Sequence, residues 1–357
     1  MSEPSPSLID WIGQAVKNYL PQQAAQSGPL RLQNLSGDAG FRQYFRLNTI
    51  PPTLAVVAPP ATENNAAFLA VAHYLRERGI HAPKVIAYES ERGYMVVEDL
   101  GSDLLLDHLN TDTVDLLYGE ALMLLLRLQQ LPPDGQVFPL YSRQKLCDEM
   151  HSFSQWFVEG LLDYRLTDAE RQMLAETFQH LENSAASQPQ VIVHRDFHSR
   201  NLVYSLGNAP GVIDFQDAVI GPLTYDLVSL LRDCYIQWPV EQVQRWALAY
   251  AGMATDVGLL QGASPEVFLR WFDWMGLQRH IKVLGVFSRL SLRDGKHGYL
   301  GDLPLVIHYV RSISRQYAEM SAFAEWFDEQ LLPLVQRQNW YSSVKAKSAP
   351  AMSGSLT

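Results

Sequence analysis

The sequence predicts an α+β fold in two parts: a small antiparallel β-sheet lobe with one main helix, then a larger, mainly helical lobe with an embedded β-hairpin. Two observations predict it. Up to Gly101, short runs of β-formers (LRLQNL, RQYFRLN, TLAVVA, KVIAYE and YMVVED) alternate with turn residues around one helical period, Asn64 to Arg78, which Gly79 is placed to end. From Leu104 to about Leu334 helical periods dominate, interrupted by a strand-rich island from Val191 to Phe215.

The change of texture sets the expected boundaries: an N-terminal lobe over 1–100, a helical lobe over 101–340, and a tail over 341–357. The tail is rich in Ser, Ala and Lys and short of apolar anchors, so it is expected to be disordered. An extra helix is expected over 8–20, with Ser7 as its cap and the proline-bounded stretch after it as its end. At 357 residues, 47% of them hydrophobic, the chain can bury a core in each lobe without disulfides. Cys147 and Cys234 form no close pair and are expected to be reduced, which suits a cytoplasmic protein.

Charge narrows the partners. With 28 basic and 38 acidic residues the net charge is −10, which disfavours nucleic acid or an anionic membrane as the main partner. The most apolar stretch, LLYGEALMLLLRLQQL, is interrupted by Glu120 and Arg127 and falls short of the roughly 18 uninterrupted apolar residues of a membrane span. It is expected to be a core helix. The N-terminus has no basic start followed by an apolar run, so no signal peptide is expected.

The chemistry is expected in the island, VIVHRDFHSRNLV. Val191 to Val193 deliver His194 to Asn201 into a loop, Leu202 to Tyr204 leave it as a strand, and a glycine- and proline-bearing turn returns the chain through Val212 and Ile213 to Asp214. Asp196, Asn201 and Asp214 can then converge at one end of a hairpin. Two carboxylates and an amide oxygen are a hard oxygen set that suits Mg²⁺ bound with nucleotide phosphates. One acid must stay off the metal to take the proton of an attacking hydroxyl, and Asp196 is assigned that role, leaving Asn201 and Asp214 as metal ligands. Two blander readings stand beside this one: His194, Asp196 and His198 alternating along a strand toward zinc, or a merely solvated loop.

HRDFHSRN followed by IDF resembles the H-R-D-x-x-x-x-N and D-F-G elements of the protein-kinase-like fold. That resemblance implies ATP and Mg²⁺ as cofactors and a nucleotide-binding role for residues 1–100. It casts Gly37 and Gly40, in SGDAGF, as a phosphate-approaching loop, and Glu98 and Leu100, in MVVEDLG, as the backbone hinge that pairs with adenine. It also casts His194 as scaffolding of the catalytic loop and Asp226 as the helix aspartate that braces it. The lysine expected on the third strand is absent from TLAVVAPP. Arg42 or Arg46 is the substitute, and Glu63 loses its expected partner. A nucleotide-binding pseudokinase therefore stays open.

The chain runs only twelve residues from Asp214 to Asp226 and has no A-P-E element, so a regulated protein-kinase activation segment does not fit. The short segment resembles instead the aminoglycoside phosphotransferase branch, which acts on small-molecule hydroxyls. GVIDFQDAVIGPLTYDLVSLLRDCYIQWP and GLQRHIKVLGVFSRLSLRDGKHGYLGDLP, within a likeness that runs from FRQYFRL to about Leu305, resemble the bacterial anomeric sugar kinases of cell-wall recycling, which act on N-acetylmuramate and N-acetylglucosamine. That similarity implies a small amino sugar as substrate and its 1-phosphate as product. Arg279 and His280, with Lys282, Arg293 and Lys296, make a local positive group that would suit a lactyl carboxylate, and Asp217 is assigned with them to the acceptor. Trp271 and Trp274 can stack on a sugar ring or pack the core. A choline or aminoglycoside kinase is the enzyme alternative, and a monomer or weak homodimer is expected.

Overall fold

The computed structural model describes residues 4–20, 29–35, 41–205 and 209–341. The chain divides into two compact units, one from Met1–Leu105 with Arg200–Ala218, the other from Leu106–Ser199 with Val219–Thr357.

In the first unit, β1 (Leu32–Leu35), β2 (Gln43–Leu47), β3 (Thr53–Val57), β4 (Val85–Glu89) and β5 (Tyr94–Glu98) form an antiparallel sheet in the order β1-β2-β3-β5-β4. β-Branched and aromatic residues fill these strands, as QYFRL, TLAVV and YMVVE show. The helix α1 (Pro6–Tyr19) starts two residues earlier than expected. Ser5, not Ser7, is the cap: its Oγ accepts from Leu8 N at 3.3 Å, with Pro6 at the first helical position, while Ser7 Oγ lies 3.1 Å from the Tyr94 hydroxyl. Leu8, Ile12 and Val16, four residues apart, place one face of α1 on Phe45, Leu47, Ala55 and Tyr94 of the sheet. The helix α2 (Asn65–Glu77) is capped by Asn64 Oδ1, which accepts from Ala67 N at 3.1 Å. Gly79, at φ 78°, adopts the left-handed backbone that ends it.

Four further strands form in the island: β6 (Gln190–Val193), β7 (Leu202–Val203), β8 (Gly211–Val212) and β9 (Val219–Pro222). β7 and β8 pair with Leu202 opposite Val212, and belong to the first unit. The sequence expectation kept the whole island with the helical lobe. Backbone bonds explain the difference: Val212 N donates to His81 O at 2.8 Å and Tyr204 N to Asp103 O at 2.7 Å, while Phe215 stacks on Phe68 of α2 at 5.1 Å. β6 and β9 pair within the second unit.

The second unit is built of α3 (Val114–Gln130), α4 (Arg143–Ser152), a π-helical continuation (Phe153–Leu161), α5 (Asp168–Ala186), α6 (Thr224–Leu231), α7 (Val240–Asp256), α8 (Pro265–Leu292) and α9 (Leu303–Ser314). The apolar stretch expected to be a core helix is α3, with Leu117, Tyr118, Ala121, Leu125 and Leu128 buried. No helix among the described residues is long and apolar enough to cross a membrane. The 28-residue α8 is the central element, buried on nearly all sides, which is why its sequence shows little amphipathic contrast. At Gly285 a Cβ would stand 2.4 Å from the Ser152 backbone, so a glycine is needed where α8 crosses the end of α4. Trp274 lies in this core, edge-on to His180 and Tyr317, and is a packing residue rather than an exposed platform.

The core also buries an ion pair. Arg232 Nη2 donates to Asp273 Oδ1 at 2.5 Å with side chains 5% and 7% exposed, and the Tyr317 hydroxyl donates to Asp273 Oδ2 at 2.6 Å. Removing the carboxylate strands a buried guanidinium, so Asp273→Ala is expected to cost about 3–5 kcal/mol of unfolding free energy in urea. A loss below about 1 kcal/mol, the value for exposed pairs, would show that water reaches the arginine.

Candidate functional site

In the second unit, β6 delivers His194 and Arg195 into the loop, and one carboxylate holds them there. Asp226, fully buried on α6, accepts from His194 N at 2.6 Å with Oδ2 and from Arg195 N at 2.9 Å with Oδ1. Burial pushes this carboxyl up to about 7, against the two amide donors that favour its ionised form. The bonds hold Arg195 at φ 78°, a left-handed conformation that a non-glycine residue keeps only where its surroundings impose it. His194 is buried, and its Nδ1 accepts from Asp196 N at 3.3 Å. With that nitrogen used on the loop backbone, the zinc reading of His194, Asp196 and His198 loses its first ligand.

Around Asp196 the second unit gathers charge. Burial opposes its ionisation, but Lys282, then His198, Arg279 and Arg195, outweigh burial and bring the pKa down to about 2. Lys282 Nζ donates to the Tyr225 hydroxyl at 3.1 Å and lies 3.4 Å from Glu149 Oε2, and Arg195 Nη2 donates to Glu149 Oε1 at 2.5 Å. The Tyr141 hydroxyl also donates to Glu149. Burial raises the pKa of Glu149, but Lys282 and Arg195 pull it below the usual carboxylate range. Arg279 is buried, with Nη1 3.6 Å from Cys234 Sγ.

His280 is corrected. It is fully buried, with Nε2 3.0 Å from the Arg232 carbonyl and its ring stacked on Tyr309 at 4.8 Å. Burial, helped by Arg279, lowers its pKa to about 3, so it is a neutral packing residue and not part of a cationic acceptor site.

In the first unit, Asn201 and Asp214 are brought together: Asn201 Nδ2 donates to Asp214 Oδ2 at 3.3 Å, and Gln216 Nε2 to Asp214 Oδ1 at 2.8 Å. Asp214 has φ 63°, a second left-handed non-glycine residue in the island. The carboxylate and the amide offer hard oxygens, so the pair fits Mg²⁺. Asp217 is exposed in the turn that follows Phe215. Gly37 and Gly40 lie outside the described residues, as does all of the expected tail after Tyr341. Glu98 ends β5, its carboxylate accepting from Arg76 Nη1 at 2.6 Å and Lys84 N at 3.1 Å, and Leu100 follows in the exit toward Gly101.

Residues 31–260 match the family model described as the phosphotransferase enzyme family, APH. The chain belongs to that family. The N-acetylmuramate/N-acetylglucosamine kinase of Pseudomonas putida is 38% identical to this phosphotransferase over 324 residues, 90% of this chain and 95% of that one. The kinase of the same name from Neisseria meningitidis serogroup B is 38% identical over 314 residues, 86% of this chain and 92% of that one. Among solved structures, Plasmodium vivax ethanolamine kinase superposes with a TM-score of 0.62 at 13% identity, covering 87% of this chain and 89% of that one. An ADP-bound aminoglycoside phosphotransferase superposes with a TM-score of 0.57 at 15% identity, covering 87% and 99%. The expected protein-kinase-like α+β fold is thus present.

Several residues that build the phosphotransferase's loop escaped sequence reasoning. Asp233 accepts from Ser199 N at 3.0 Å and from Ser199 Oγ at 2.5 Å, pinning the end of the loop as Asp226 pins its start. A partial signal existed: two aspartates seven residues apart in TYDLVSLLRD, the first on α6 and the second two residues beyond its end. Glu149 carried no such signal, because its partners lie 46 and 133 positions along the chain, at Arg195 and Lys282.

Proposed function

We propose that this phosphotransferase moves the γ-phosphoryl group of ATP to the anomeric C1 hydroxyl of N-acetylmuramate and N-acetylglucosamine. The observation that carries the reading is the 38% identity, over nine-tenths of the chain, to a kinase named for those two sugars. Asp196, ionised well below neutrality, accepts the proton of the C1 hydroxyl. The sugar oxygen forms the new bond to phosphorus, the bond from phosphorus to the β-phosphate oxygen breaks, and ADP leaves. Asn201 and Asp214 are the residues to hold Mg²⁺, which when bound neutralises charge on the phosphate oxygens. Arg279 and Lys282, both acting on Asp196, are the cations suited to the lactyl carboxylate of N-acetylmuramate. Use of ATP and the two free thiols support a cytoplasmic location.

The test is product position. With ATP and Mg²⁺ each sugar should lose its reducing end as ADP forms, and phosphorus NMR should show coupling to the anomeric proton. Phosphate elsewhere on the ring, with the reducing end intact, would overturn the C1 assignment. Faster turnover of choline, ethanolamine or an aminoglycoside would overturn the substrate class.

A further inference from the structure

The third strand, β3, carries Thr53-Leu54-Ala55-Val56-Val57 and no cation. Two arginines on or beside the neighbouring β2 are the available replacements, and their surroundings differ. Arg46 is spent: its Nε and Nη2 donate to Asp99 at 2.5 and 3.1 Å. Arg42 is not. Its side chain is 7% exposed and pairs with Glu63 Oε2 at 3.3 Å through Nη2, while among the described residues Nε has no hydrogen-bond partner and Nη2 none beyond that ion pair. A buried guanidinium whose donors are only partly used is costly unless a further anion completes it, and a phosphate supplies oxygens that suit the remaining donors.

Its position fits the same conclusion. Arg42 sits over the Phe68 ring at 5.1 Å, and Phe68 stacks on Phe215, the neighbour of Asp214. Arg42 and Asp214 both act on the Tyr44 phenol, which burial pushes up to about 12. Glu63 Oε1 accepts from Phe41 N at 3.0 Å, so one carboxylate orients the arginine and ties down the backbone beside it.

We infer that Arg42, oriented by Glu63, is the cation that binds the α- and β-phosphates of the nucleotide, moved from the third strand to the start of the second. The inference rests on the ATP-dependent reading above. Val56 offers a way to reverse the move. It pairs with Tyr44 across the β2–β3 ladder, and Arg42 lies two residues before Tyr44, so the Val56 and Arg42 side chains share a face.

Calorimetric titrations with ADP and adenosine, in Mg²⁺, test this without turnover. Arg42→Gln is expected to weaken ADP by about 10- to 100-fold and to leave adenosine unchanged. Glu63→Gln is expected to weaken ADP less, by leaving the guanidinium unanchored. Val56→Lys in the Arg42→Gln background is expected to recover part of the ADP affinity. Unchanged ADP binding, or equal losses for ADP and adenosine, would make the Arg42–Glu63 pair structural and overturn the inference. Native protein that neither binds nor hydrolyses ATP would overturn the kinase reading itself.

Discussion

Asp196→Asn is expected to lower kcat by about two to four orders of magnitude, the usual worth of a positioned general base. Affinity for ATP and for the sugar should hold, because the amide keeps the shape of the side chain and loses only its ability to take a proton. Lys282 is the strongest of the charges that outweigh burial to bring Asp196 down to about 2, so the base is ionised throughout the pH range of ordinary assays. Its protonation therefore produces no acid limb above about pH 4, the ordinary carboxylate value. Lys282→Met should move such a limb upward, toward and beyond that value, as burial goes unopposed. The sign for stability is the same: a depressed carboxylate stabilises the fold above its unfolded pKa, and that contribution is lost as pH falls through about 2. A kcat for Asp196→Asn within about tenfold of the native value would remove Asp196 from the role of base.

Asp214→Asn is expected to abolish the gain in ATP affinity that Mg²⁺ provides. Asparagine tolerates the left-handed conformation that Asp214 holds at φ 63°, so the substitution tests charge and not backbone geometry. In calorimetric titrations the native protein should bind ATP more tightly with Mg²⁺ than with EDTA, and Asp214→Asn should bind equally in both. Asp196→Asn should retain the native difference. Equal and mild effects of the two substitutions would dissolve the division between a base and a metal ligand.

The island that separates these roles is legible as chemistry in the amino-acid sequence. Asp196, Asn201 and Asp214 lie within nineteen positions and are bracketed by strand-forming residues, so local pattern alone marks them. The helix cap is less legible: Ser7 and Ser5 both reach the Tyr94 hydroxyl, at 3.1 and 3.5 Å, and Ser5 is the one whose Oγ also accepts from Leu8 N. The assignment of β7 and β8 to the first unit turns on hydrogen bonds to His81 and Asp103, which strand propensity does not encode. His280 shows the opposite error. A histidine beside Arg279 on a helix scans as part of a cationic patch, but α8 is buried all round, and burial makes it neutral.

What the sequence determined by itself was the set of local signals: strand-rich then helical texture, the order of the motif residues, and the absence of a third-strand lysine. These depend on residues close together in the chain, where period and spacing carry the information. Only the tertiary structure decided which arginine pairs with Asp99 and which with Glu63, that Lys282 lowers the pKa of Asp196, and that Asp233 pins the end of the loop that starts at His194. Those outcomes depend on desolvation and on partners tens of residues away. Arg46 gives two hydrogen bonds to Asp99, whereas Arg42 meets Glu63 through one buried ion pair, a difference of packing and not of residue type.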